Sequence, residues 1–436
     1  MTPDVIADLS LGDLHGSLSD PSLTSMNFLN EVSQRYPKAI SFAAGRPYEG
    51  FFEVEDVHRY LDLYCAYLRR ERGFAEAEVR RALFQYGRTK GIIHELVARN
   101  LQQDEGIEVS PEAIAVTTGC QEAMVMVLRA LCSDERDVLM VMSPAYVGIT
   151  GAARLVNMEV RHVAAGESGI DFEALRSAIR EVHEGGQRPR ALYVVPDHSN
   201  PTGQTLSIQD REHLLTASSD NEFLILEDNP YGLFHGEGER LPTIKSLDTE
   251  RRVVYLGSFA KTGLPGARVG YVVADQEVVD EAGRTSLLVD HLSKIKSMLT
   301  VNTSPIAQAV VAGRLLAADC SLVEANRRET AVYRENMRHT LDGLAEKFDS
   351  VPGVSWNHPQ GGIFIVVGLP FVVDDAMLER SARYYNVIWT PMSHFGTDDR
   401  SSRRIRLSVS LLDAAEIDLG LERLVSFVKD HAGSAQ

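Results

Sequence analysis

Three stretches of the chain place chemically capable side chains directly after a short apolar run. Residues 191–196 lead into Asp197-His198-Ser199-Asn200-Pro201-Thr202-Gly203. Residues 223–226 lead into Glu227-Asp228-Asn229-Pro230-Tyr231. Residues 253–256 lead into Gly257-Ser258-Phe259-Ala260-Lys261, and then Leu264-Pro265-Gly266-Ala267-Arg268-Val269-Gly270. A fourth stretch, Thr118-Gly119-Cys120-Gln121, follows an apolar run and opens the helical pattern Ala123, Val127, Leu128, Leu131. A helix N-terminus with its unpaired amides is a natural anion site. A lysine amine is a nucleophile once neutral, and the planar fork of Arg268 suits an anion. Each feature alone also has a plain structural reading. Asn-Pro-Thr-Gly is a good turn, an acid after a strand caps a helix, and a loop lysine is solvated. Their order and spacing set them apart.

The elements that would carry them follow from periodicity. Apolar runs at 138–142, 191–195, 223–226, 253–256 and 269–273, bounded by polar turns, predict strands covered on both faces. Amphipathic helices lie between them; Phe172, Leu175, Ile179 and Val182 keep helical spacing behind Asp171 as N-cap. Such alternation predicts an α/β domain with a mainly parallel sheet wrapped by helices. Ligands of open α/β sheets bind at the carboxyl ends of the strands, where the residues above collect. Residues 53–83 read as helical and charge-rich. A long helix over 321–348, strands near 363–367 and 405–410, and a last helix with Ile417, Leu421, Leu424 and Val428 on one face predict a smaller α+β domain. Asp413 and Glu416 form a capping box for that last helix. The first forty residues, polar with scattered leucines, read as an arm and a first helix. The expected division is 1–60 for the arm and the first part of the small domain, 61–300 for the large domain and 301–436 for the small one.

The chain has 436 residues, which at roughly 100–200 per domain suits two or three domains or one two-lobed unit. A net charge of −17 argues against nucleic acid or an anionic membrane as the main partner, since both repel an acidic surface. Cys65, Cys120, Cys132 and Cys320 form neither a CxxC pair nor a zinc pattern, so no metal site is expected. They read as reduced thiols of a cytoplasmic protein. Residues 1–4, Met-Thr-Pro-Asp, lack the basic and apolar regions of a signal peptide. No run of about 18 apolar residues exists to span a membrane.

In combination, SNPTG, EDNPYG, SFAKTGLPGARVGY and RLSVS resemble the fold-type-I pyridoxal-phosphate enzymes, specifically class I/II aminotransferases, over residues 40–406. The aminoadipate, kynurenine and aromatic aminotransferases are the branch most nearly matched. The resemblance implies a pyridoxal 5′-phosphate enzyme that passes an amino group from an amino acid to a 2-oxo acid in ping-pong fashion. Lys261 matches the lysine that forms the Schiff base and carries the proton. Asp228 matches the carboxylate beneath the pyridine nitrogen, and Asn200 and Tyr231 match the pair bonding the phenolic oxygen. The backbone of Gly119, Cys120 and Gln121, with Ser258 and Arg268, matches the phosphate cup. Tyr146 matches the ring stacked on the pyridine. Tyr86, in Gln85-Tyr86-Gly87, matches a tyrosine reaching the phosphate of a neighbouring subunit, which implies a homodimer. Arg406 matches the clamp on the substrate α-carboxylate, with Gly45 and Asn200 beside it.

Two positions depart from the pattern. Ala260 stands where the family usually has Ser or Thr, so one phosphate hydroxyl is missing. Arg46 stands where the nearest branch often has an apolar pocket residue; it reads either as a reader of a distal acid or hydroxyl or as a solvated arginine. His198, two residues before Asn200, reads as structural or catalytic. Relatives of this fold that use oxygen, as oxidases and hydroxylases of natural-product pathways, keep the same cofactor motifs and use N-terminal arms such as the one here containing His15. Residues 40–57 also loosely resemble transaminases of antibiotic pathways that make phenylglycine-type amino acids. A pyridoxal-phosphate-binding regulator would need an appended basic DNA-binding domain, which an acidic chain beginning almost directly at the small lobe does not suggest.

Overall fold

The computed structural model describes residues 9–20, 23, 25, 31–166, 169–236, 238–262, 264–396 and 398–432. The reading of residues 1–4 lies outside them. So does most of the stretch expected to form the first helix, of which 31–35 are helical.

Helix α1, Val54–Arg70, starts the charge-rich stretch, and a second helix, Glu76–Phe84, follows it. The stretch read as one helical run is thus broken, with Gly73 at φ +69 in the turn, a conformation glycine adopts without cost. Strand β1, Ile114–Thr117, then runs into helix α2, Gly119–Leu131. Strands β2 (Asp137–Ser143), β3 (Glu159–Ala164), β4 (Arg188–Val194), β5 (Leu224–Asp228), β6 (Val253–Ser258) and β7 (Gly270–Val273) complete a seven-stranded sheet. Its spatial order is β1-β7-β6-β5-β4-β2-β3. Only β7 is reversed, pairing antiparallel with both β6 and β1. The expected strands are all present. β3 escaped the periodicity because it is the edge strand: Glu159, Arg161 and His162 are partly or fully exposed, so no apolar run marks it. Helix Phe172–Glu184 has the expected cap, with the Asp171 carboxylate accepting from the amides of Glu173 and Ala174 at 3.0 and 2.9 Å.

Helix α3, Pro305–Ala317, packs against α1 so closely at Gly313 that a Cβ there would fall on the backbone carbonyl of Tyr60. Val311, Leu315 and Leu322 share one buried cluster with Tyr64, Ile114 and Tyr255. Apolar packing thus joins 305–322 to the large lobe, although 301–436 was expected to be the small domain. The expected helix over 321–348 is also two: Leu322–Ala325, then α4, Arg327–Phe348. At the junction the Asn326 side-chain amide donates to the carbonyls of Thr262 and Leu322, both at 2.8 Å.

From α4 onward the small lobe has its own core. Met337, Leu344 and Phe348 meet Phe42, Trp389, Leu407 and Phe427. Strands β8 (Ser355–Trp356), β9 (Phe364–Gly368), β10 (Thr390–Pro391) and β11 (Arg404–Ser408) form an antiparallel sheet in the order β8-β9-β11-β10. A two-residue parallel ladder, Ile40–Ser41 with Val387–Ile388, ties the N-terminal segment to it. Helix α5, Ala414–Ala432, carries the expected capping box, with Asp413 and Glu416 exchanging bonds of 3.0 and 2.8 Å. Among the described residues no helix is long and apolar enough to cross a membrane.

The α1–α3 contact gives a stability test. Gly313→Ala forces the helices apart against backbone atoms that cannot rotate away. It is expected to cost about 2–3 kcal/mol, the upper range for overpacking. The midpoint of urea unfolding should fall accordingly, and an unchanged midpoint would contradict the packing described.

Candidate active site

Because six strands of the large sheet run one way, their carboxyl ends share one edge, and reversed β7 begins there. That edge and the small lobe enclose a cavity of about 250 Å³. Its lining contains Gly45, Arg46, Cys120, Gln121, Tyr146, Asn200, Asp228, Tyr231, Ser258, Lys261, Arg268 and Arg406. Gly119 is one residue before Cys120, against Arg268. Of the predicted cofactor residues, Gly119 and Tyr86 are not in the lining, and Tyr86 is 84% exposed. His15 and His198 do not line it either. His198 is buried, its Nδ1 lies 3.1 Å from the Thr205 hydroxyl, and burial lowers its pKa to about 4, which fits its structural reading. His15 caps a short exposed turn in the arm.

Strand alternation decides which of two adjacent acids faces the cavity. Glu227 turns away and accepts from the amides of Ile244 and Lys245 at 2.9 and 2.7 Å. Asp228, the last residue of β5, faces the cavity. Its Oδ2 accepts from the Tyr193 hydroxyl at 2.6 Å, and its Oδ1 lies 3.7 Å from the Cys120 thiol. Burial raises the Asp228 pKa to about 6, against the opposing pull of both donors and of the Lys261 amine.

Lys261 leaves β6 three residues after Ser258. Its amine donates to the Gly45 carbonyl and sits 5.8 Å from the centre of the Tyr231 ring. Burial lowers its pKa to about 8, and the positive charges of Arg406, Arg268 and Arg46 push the same way. Arg406 enters from β11. Nη1 donates to Asn200 Oδ1 at 2.5 Å, and Nη2 to the Ala43 carbonyl at 2.8 Å and the Thr390 hydroxyl at 3.3 Å. The guanidinium lies between the rings of Phe364 and Phe395, 4.5 and 4.9 Å from their centres. Burial lowers its pKa to about 10, and its Nε is buried without a partner. Arg46, by contrast, is exposed at the mouth.

The anion corner is equally constrained. Gly119 adopts φ +74, and a Cβ there would come within 2.6 Å of Arg268 Nη2. Arg268 can therefore lie over the N-terminus of α2 only because position 119 has no side chain. Gln121 donates to the Tyr146 hydroxyl at 3.5 Å, and its Oε1 is buried without a partner. Ala260 lines the cavity where a hydroxyl was expected to be missing.

Several contributors were not anticipated. Tyr193 had a signal, a hydroxyl-bearing ring inside the apolar run 191–195. Phe364, Phe395, Thr390 and the Ala43 carbonyl had none, because only tertiary packing brings them to Arg406.

Residues 66–424 match the family model for aminotransferase class I and II. The chain belongs to that family. It is 52% identical over 420 residues, 96% of its own length and 94% of the relative's, to a (S)-3,5-dihydroxyphenylglycine transaminase of Amycolatopsis orientalis. It is 31% identical to a 2-aminoadipate transaminase of Thermus thermophilus, over 91% of both chains. The solved α-aminoadipate aminotransferase of Thermus thermophilus superposes with a TM-score of 0.79 at 28% identity, covering 98% of this chain and 100% of that one. The kynurenine aminotransferase of Pyrococcus horikoshii, solved with PMP, gives 0.78 at 27%, covering 92% and 94%. This aminotransferase thus has the fold-type-I architecture, and its cofactor is pyridoxal 5′-phosphate. The donor set suits that group: a side-chain-free cradle under Arg268, a buried carboxylate, and an amine whose pKa burial has lowered.

The charge environment of Lys261 is open to titration. In cofactor-free protein, acylation of Lys261, followed by peptide mass spectrometry, should rise with pH through about 8. Arg406→Gln removes a neighbouring positive charge, so the ammonium form persists longer and the midpoint moves up toward the ordinary 10.5. A native midpoint already near 10.5 would refute the assignment.

Proposed function

We propose that this aminotransferase moves the amino group between an arylglycine of the 3,5-dihydroxyphenylglycine kind and a 2-oxo acid, in the cytoplasm. The observation that carries this reading is the 52% identity, along nearly the whole chain, to a transaminase named for that amino acid. It favours transamination over the oxygen-using reaction, which the cofactor motifs alone left open.

The geometry supports the following roles. When bound, pyridoxal 5′-phosphate supplies an electron sink for the pair released at the substrate Cα. Lys261, neutral in a good fraction near pH 8, holds the cofactor covalently and then carries the proton. Asp228 receives the ring nitrogen, Tyr146 covers the ring face, and Asn200 and Tyr231 hold the phenolic oxygen. The amides of Gly119, Cys120 and Gln121, with Ser258 and Arg268, take the phosphate. Arg406 takes the α-carboxylate with its fork, beside Gly45 and Asn200, and so fixes the Cα–H bond relative to the ring. Arg46, exposed at the mouth, reads the far end of the substrate.

The assembly we propose is a homodimer in which Tyr86 reaches the phosphate site across the interface. Phe84, two residues before it, is 75% exposed, and position 87 approaches Ile92, Asn302 and Pro305. Sedimentation should give a dimer, with Tyr86→Phe weakening cofactor retention; a fully active monomer would contradict it.

The activity test mixes the holoenzyme with (S)-3,5-dihydroxyphenylglycine and no 2-oxo acid. One equivalent should convert the cofactor to its pyridoxamine form and stop until a 2-oxo acid is added. Continued turnover with oxygen consumed in step would overturn the transaminase reading. Arg46→Ala should lower kcat/KM for the hydroxylated substrate relative to phenylglycine by about ten- to a hundredfold, the value of a lost hydrogen bond to substrate. An unchanged ratio would remove Arg46 from the site.

A further inference from the structure

Asp228 is held on both oxygens. Tyr193 lies on β4, directly across from Leu226 of β5. Leu226 and Asp228 share one face, so the long tyrosine side chain reaches diagonally along the neighbouring strand to the carboxylate. Its ring is buried with Leu226, Ile149 and Val254 in the core of the large lobe, and its hydroxyl comes to Asp228 Oδ2 at 2.6 Å. Cys120, in the first turn of α2, brings its thiol to Oδ1 at 3.7 Å. The two donors fix the carboxylate from two different elements. Both are neutral, and burial pushes their pKa values well up, so both stay protonated as donors.

We propose that Tyr193 and the Cys120 thiol are positioning residues that hold Asp228 oriented and ionised to receive the cofactor's ring nitrogen. The inference rests on the role proposed above for Asp228. The groups facing that carboxylate are Tyr193 on β4, Cys120 on α2, Tyr146 after β2, Tyr231 after β5 and Lys261 after β6. Lys261 is the one ordinary cation among them. Loss of a donor therefore leaves Asp228 harder to ionise, because hydrogen bonds to a carboxylate favour its charged form and burial opposes it.

The test measures equilibrium binding of pyridoxal 5′-phosphate against pH in a Lys261→Ala background, where no covalent link contributes. Without the Lys261 charge the Asp228 pKa lies above its native value of about 6, so affinity should be present at higher pH and fall as pH drops through that raised value, as Asp228 protonates. The phosphate's own titration is common to every variant. Tyr193→Phe should move this acid limb up by about one pH unit, a tenfold loss of affinity near the limb, while leaving affinity at pH 8 within about threefold. Cys120→Ala should move it less, since a thiol is the weaker donor, and the double variant further than either. Equal loss at every pH, no binding at any pH, or an unmoved limb would overturn the proposal. Asp228→Asn separates the two readings. If the limb in that variant is as steep as with Asp228 present, and not reduced to the phosphate's own part, the role of Asp228 itself fails. If it is so reduced there but Tyr193→Phe leaves the limb unmoved, only the positioning role fails.

Discussion

Four cationic side chains, Arg46, Lys261, Arg268 and Arg406, converge on a cavity whose lining holds a single carboxylate, Asp228. Like charges brought together repel, and burial of one of them, Arg406, adds a desolvation cost. The protein compensates it only in part, with carbonyls, an amide oxygen and aromatic faces. The remaining imbalance is the affinity of the site. In the roles proposed for Arg268 and Arg406, a cofactor phosphate and a substrate α-carboxylate would bring the missing negative charge, each to a different arginine. Burial does most to lower the Lys261 pKa, and the same cluster of positive charge adds to it, so anion recognition and amine activation share one contribution.

Holding that imbalance requires both lobes. Arg406 could not be kept in place by its own strand alone. The Ala43 carbonyl, the Thr390 hydroxyl and the rings of Phe364 and Phe395 surround it from the N-terminal segment and the small lobe, while Asn200 meets it from the large one. Arg268 depends on the absence of a side chain at position 119. The phosphate corner and the carboxylate corner are thus each fixed by packing that charge alone would not produce.

The legible part of this arrangement was the local part. Strand, turn and functional residue are consecutive at Asp228, Lys261 and Asn200, so the residues carrying the chemistry and the elements presenting them were read together. What was not legible depends on neighbours distant in sequence. β3 lies at a sheet edge and lacks an apolar run. The breaks after Arg70 and at Asn326 are settled by turn geometry and by an amide bonding two carbonyls, which helical periodicity does not register. Residues 305–322 follow the large lobe because α1 offers a matching surface, and nothing within those residues announces it. In the sequence Tyr193 is a ring within an apolar strand, and only the fold brings its hydroxyl to Asp228.

The single reversed strand has a consequence for the chain's tolerance of change. Since β6 ends and β7 begins on the same sheet edge, Ser258, Lys261 and Arg268 all come from one connection whose two ends are pinned to adjacent strands. Its length and path are therefore set by three separate positions at once, and an added or deleted residue would displace at least two of them. Just beyond β7 the chain makes the exposed hairpin Glu277–Val279 to Thr285–Leu287, turning through residues 280–284 on the surface. New termini or an inserted reporter would be absorbed in that outer turn, where exposed backbone tolerates insertion, only a dozen residues from a segment that would tolerate none.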